Sequence, residues 1–211
     1  GVNPFQFGVI GSTDSHTGLA TADDDNYWGK FSKDNPHKGR AFEPTLPEQF
    51  GPRDVLLSNW QQLASGYAAV WAQANTRAAL FDALKRKEVY ATTGPRMLVR
   101  FFGGWHYSSE EGVPMGGELP PHTGNYSAPR FLISASKDPE GANLERLQII
   151  KGWLDQSGDL QEKIYDVAVT DNPGNTVNLE AAGYLNSAGS AQLAAVWQDP
   201  HFDPLSRAFY Y

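Results

Sequence analysis

Apolar residues in the second half of the chain cluster in short runs of strand length. They are Met97–Phe102, Arg130–Ala135, Leu144–Ile150, Lys163–Val169 and Gln192–Trp197. Turn signals separate them: Asp138-Pro139, Glu140-Gly141, Ser157-Gly158 and Asn172-Pro173-Gly174. Short β-rich runs with Gly and Pro punctuation and no helical period predict an antiparallel sandwich or sheet layer. The first half reads differently. Phe5–Ile10 is a brief apolar run with strand character, and Gly66–Ala72 is another. From Arg77 to Lys87 the apolar residues Leu80, Phe81 and Leu84 fall on one face of an amphipathic helix. Asn75 or Thr76 can cap its first turn, and Lys85, Arg86 and Lys87 suit the negative end of its dipole. Val89–Thr93 is strand-like again and stops at Gly94-Pro95. A strand, a helix and a strand in that order have the rhythm of a barrel finishing its last unit. The expected fold class is therefore α+β: residues 1–96 as one unit and 97–211 as a β-rich accessory domain, with the boundary near 97–105.

Leu19 to Arg53 sustains no period and carries Asp23, Asp24, Asp25, Pro36, Pro44, Pro47 and Pro52. It reads as a long loop with at most short turns, and long structureless segments in compact domains are commonly functional. Tyr27, Trp28 and Phe31 are candidates to pin it to the body. The three aspartates read first as a solvated acidic turn, with metal ligation as the alternative.

Composition narrows the function classes. The chain is 40% hydrophobic and 19% charged, which fits a globular protein with a real core. A formal net charge of −7 and the lack of a basic stripe argue against nucleic acid as a partner. No apolar run approaches 18 residues, so no membrane-spanning helix is expected. There is no cysteine, so a metal would be held by oxygen and nitrogen donors, and either redox compartment is compatible. A periplasmic or secreted setting is expected in preference to the cytoplasm. No nucleophile elbow, Walker loop or dinucleotide fingerprint occurs, which leaves serine hydrolase, NTPase and Rossmann chemistry without support.

The most informative segment is Gly11-Ser-Thr-Asp-Ser-His-Thr-Gly18. Asp14 and His16 are two positions apart, and residues i and i+2 of an extended chain share a side. A carboxylate and an imidazole converging there make a half-site for a divalent ion. Ser12, Thr13, Ser15 and Gly18 keep the surroundings small and polar. The simpler alternative is an Asp14 cap beside an ordinary loop histidine.

The stretch from Phe7 to Lys30, FGVIGSTDSHTGLATADDDNYWGK, resembles the C-terminal metal motif of domain-of-unknown-function family 3604. That bacterial family is in turn similar, distantly, to the polymerase-and-histidinol-phosphatase (PHP) metallohydrolases. Further blocks carry the same resemblance: Ala64–Ala72 with Asn75–Ala83, Arg86–Arg96 with Arg100–Trp105, Gly112–Gly117 and Leu147–Trp153. The resemblance implies the last elements of a PHP-like distorted β/α barrel and a metal site of two or three ions (Mn, Zn or Fe). Asp14 and His16 would supply part of that site. The family's His-x-His pair is missing, and His37, His106, His122 and His201 are scattered. The remaining ligands are expected from an N-terminal part of the same protein, with this chain as its C-terminal portion.

When bound, a divalent ion polarises a substrate oxygen and acidifies water. The resemblance implies hydrolysis of a phosphoester or related ester, with a small, anionic substrate expected. Thr92, Thr93 and Arg96 sit where a strand empties into a loop and could hold its anion, Arg96 through its planar fork. Equally, Thr92 and Thr93 could be sheet residues and Arg96 a salt-bridge partner. Two other classes stay open. One is a β-rich ligand- or carbohydrate-binding module using Trp105, Tyr107, Trp153 or Trp197. The other is an assembly domain without catalysis.

Overall fold

The structure, a computed structural model, describes residues 6–18, 30–31, 37–40, 42–44, 57–62, 64–106, 112–121 and 127–211. The chain divides into two compact units, Gly1–Leu84 with Val89–Gly94, and Lys85–Glu88 with Pro95–Tyr211.

In the first unit, β1 (Tyr67–Val70) pairs antiparallel with β2 (Val89–Thr92), Tyr67 opposite Thr92 and Val70 opposite Val89. Helix α1 (Arg77–Arg86) lies in the connection between them. Its cap is Thr76, whose Oγ1 accepts from the Ala79 N–H at 3.3 Å. Lys85 and Arg86 occupy its last turn, and Lys87 follows in the left-handed region at φ 64°. The face it turns inward differs from the one expected. Ala83 is fully buried, whereas Phe81 and Leu84 are exposed.

The α+β expectation, with the last elements of a distorted β/α barrel, is overturned: the described residues are mostly β-strand. A barrel unit needs parallel strands joined by a crossover helix. Here Val70 and Val89 lie at the same end of an antiparallel pair, so the helical connection returns the chain to the edge it left. Among the described residues there is one α-helix, and the strands form small antiparallel sheets. Phe5–Ile10 also departs from expectation. Residues 6–15 form no strand, and Phe7, Val9 and Ile10 are exposed. The segment instead meets β1 and β2 by close backbone contact at Gly11. A Cβ there would lie 2.6 Å from the Tyr67 carbonyl and 2.8 Å from that of Thr92. That approach leaves no room for a side chain at Gly11.

The second unit is two antiparallel sheets face to face. One runs β10-β5-β3-β4 and the other β11-β6-β7. The strands are β3 (Leu98–Gly104), β4 (Val113–Pro114), β5 (Arg130–Ser136), β6 (Arg146–Leu154), β7 (Leu160–Val169), β10 (Gln192–Gln198) and β11 (Ala208–Tyr210). A small pair, β8 (Val177–Asn178) and β9 (Gly183–Tyr184), lies outside both sheets. Strand alternation sets the core: Phe131, Ile133 and Ala135 of β5 meet Leu147 and Ile149 of β6. Val99, Phe101, Leu193, Ala195, Trp197 and Tyr210 pack around them. The β-rich reading of this half therefore holds. No helix among the described residues is long and apolar enough to cross a membrane.

Candidate functional site

Exposure alternates along Gly11–Gly18, with Ser12, Asp14, His16 and Gly18 exposed and their neighbours half-buried. Asp14 and His16 thus share the open side. Asp14 adopts φ 57°, a region that non-glycine residues seldom enter and that Asp tolerates better than most. Its N–H donates to Ser12 Oγ at 3.2 Å, the short-range bond typical of a serine or threonine turn.

Two features define the chemistry of the pair. The first is the imidazole orientation. His16 Nδ1 lies 3.0 Å from the Asp14 carbonyl. A carbonyl can only accept, so Nδ1 carries the proton and Nε2 of the neutral ring presents a lone pair. The ring is steadied by Phe31, 5.0 Å away between centroids, and the His16 N–H donates to the Lys30 carbonyl at 2.9 Å.

The second feature is Lys30, which sequence reasoning did not single out. It is almost fully buried, and its ammonium donates to the Asp14 carboxylate at 2.5 Å, the Asp14 carbonyl at 2.6 Å and the Gln62 carbonyl at 3.0 Å. Three N–H groups meet three oxygens, which satisfies the buried cation. The Lys30 hydrogen bond, then its charge, hold the exposed Asp14 carboxyl below the usual range. No local signal could have marked Lys30, because its partners lie 16 and 32 residues away.

The other predicted residues are placed as follows. Thr92 is buried at the end of β2, its hydroxyl accepting from the Gly94 N–H at 3.4 Å. The Thr93 carbonyl accepts from Ser65 Oγ at 2.5 Å. Arg96 belongs to the second unit, where its N–H donates to Asp138 Oδ2 at 2.6 Å. Asp23, Asp24, Asp25, Tyr27, Trp28, Tyr107 and His122 lie outside the described residues. His37 sits 3.4 Å from Glu43. Among the described residues no group of three or more His, Asp or Glu is placed to enclose an ion. Asp14 and His16 fit a divalent ion in donor type, and two donors make a partial shell.

A second polar centre, also missed from sequence, lies in the second unit. Lys151 of β6 donates to Asp199 at 2.6 Å and to the His201 carbonyl at 2.7 Å, with both side chains buried. Asp199 also accepts from Tyr210 at 2.7 Å and from the His201 N–H at 2.9 Å. Burial pushes its carboxyl up, but the three donors outweigh burial and hold it below the usual range. The exposed His201 ring touches Tyr165 at 3.1 Å and Lys163 at 3.3 Å.

No curated protein and no solved structure matches the chain. A family model does, along residues 1–211: the chain belongs to the family described as "Protein of unknown function (DUF3604)".

Proposed function

We propose that the chain contributes Asp14 and His16 to the metal site of a hydrolase acting on a phosphoester or related ester. The distant similarity of the family to PHP enzymes forms part of the same proposal. The observation that carries it is the Nδ1–H bond from His16 to the Asp14 carbonyl. It aims a lone pair outward in the way ligating histidines are oriented by a neighbouring carbonyl. When bound, a divalent ion (Mn, Zn or Fe) supplies Lewis acidity and acidified water. The chain's own residues do the rest. Lys30 keeps Asp14 ionised and fixes one carboxylate oxygen, leaving the other for the ion. The donors that complete the shell come from outside the described residues, in an N-terminal part of the same protein. Thr92 and Thr93, in the same unit as Asp14 and His16, are the proposed contacts for a small anionic substrate.

The test is the metal content of the whole gene product, purified without chelator, beside its hydrolysis of p-nitrophenyl phosphate and phosphodiesters. Asp14→Ala and His16→Ala should each lower bound Mn, Zn or Fe and abolish hydrolysis. Unchanged metal content in the double variant would remove both residues from the site.

A further inference from the structure

The second unit has a pocket of about 150 Å³ at one end of its sandwich, between the end of β6 and the loop from β10 to β11. Strand alternation explains its walls. Lys151 and Trp153 continue the inward-facing series of Leu147 and Ile149, beyond the point where the apolar core stops. Phe202, braced edge-on by Trp105 at 5.8 Å, and Ser206 come from the loop, and the exposed Gln156 stands at the rim.

The polar groups select a ligand. Lys151 is 4% exposed, and two of its three N–H bonds go to Asp199 and the His201 carbonyl. The third is left for an acceptor in the pocket. Asp155 and Asp203 also line it, each tied to its own turn. Asp155 accepts from the Ser157 and Asp159 N–H groups and from Gln161. Asp203 accepts from the Leu205 N–H and from Ser206. Those bonds keep both carboxylates ionised, and Asp199 cancels the charge of Lys151. The pocket is therefore negative and repels anions. A cation is disfavoured for a separate reason: it would sit against the Lys151 ammonium and offer it no acceptor.

What remains is a neutral ring that donates to carboxylates, accepts from an ammonium and lays an apolar face on an aromatic one. A volume of about 150 Å³ holds one six-membered ring. The geometry points to a binding site for a single neutral pyranose residue, free or at the end of an oligosaccharide, in the β unit. This goes beyond the proposed hydrolase reading and stands or falls separately, since it uses no residue of the Asp14–His16 pair.

The test uses the 211-residue chain on an array of neutral mono- and oligosaccharides. Calorimetric titration of each hit follows, with choline chloride and inorganic phosphate as the competing probes. Saturable binding of a neutral saccharide is expected. Trp153→Ala should weaken it at least about tenfold by removing the aromatic face. Trp153 is half-buried, so Gln156→Ala serves as the variant at an exposed position that cannot disturb folding, and it should weaken binding about threefold or more. Leu179→Ala, far out on the surface at 89% exposure, should change nothing. Binding of choline or phosphate without any sugar, no binding at all, or sugar binding indifferent to both pocket variants would each overturn the assignment.

Discussion

Replacing Asp199 by Asn tests whether the buried centre of the second unit is held by charge. The substitution keeps the volume and removes the negative charge next to Lys151, whose ammonium is 2.6 Å away. The Asp199 side chain is completely buried and that of Lys151 is 5% exposed, so water cannot replace the lost partner. The three donors to Asp199 cannot be summed, since they share one carboxylate. The governing quantity is the cost of an uncompensated buried cation, about 3–5 kcal/mol. Domains are typically stable by about 5–15 kcal/mol, so this is a large fraction. At about 2–4 °C per kcal/mol for a chain of this length, the midpoint should fall by about 6–20 °C. Urea unfolding followed by tryptophan fluorescence and by circular dichroism measures the loss, and coincidence of the two probes licenses a single free energy. Lys151→Met combined with Asp199→Asn should cost less than the sum of the single changes, by on the order of 1.5 kcal/mol or more. The sign with pH follows from the lowered carboxyl. The folded value lies below the unfolded one of about 3.9, so the stabilisation is complete above that pH. It is lost as pH falls through the folded value. The wild-type advantage over Asp199→Asn should therefore shrink below about pH 4. A single-variant cost under about 1 kcal/mol, or strict additivity in the double variant, would refute the argument.

Two further predictions concern packing. Ile149→Ala, at a fully buried position in the sandwich core, should cost about 2–5 kcal/mol in the same urea assay. Gly66→Ala would place a Cβ 2.7 Å from the Ser12 carbonyl oxygen and 2.9 Å from its nitrogen, both backbone atoms that cannot swing away. It should cost about 1–3 kcal/mol and speed amide exchange at His16, because shifting Ser12 disturbs the turn that seats Asp14.

How much of this could be read from residues alone depends on the range of the interaction concerned. The five strand runs after residue 97 and the helix with its Thr76 cap were legible, because alternation and capping act within a few residues. The short pairs β4, β8 and β9 were not, since two residues carry no period. Asp14 and His16 stood out as donors by type and spacing. The bond that orients His16 joins atoms only two residues apart, yet it depends on the positive φ of Asp14, which a sequence does not announce.

Direction of pairing lies beyond local pattern. A strand, a helix and a strand read the same whether the strands run parallel or antiparallel, and only the tertiary structure turned β1 and β2 into an antiparallel pair. Residues 6–10 have strand composition but form no strand, because composition favours a strand without fixing its pairing. The two buried cations show the same limit. Lys30 and Lys151 look like any surface lysine in the chain, and their roles come from acceptors as far as 32 and 50 residues away. Patterning along the sequence settled which residues prefer to be strand, helix or turn, because those preferences are local. Which charges are buried together, and that Lys151 and Trp153 line one pocket, was decided by contacts between distant segments, which exist only once the chain has folded.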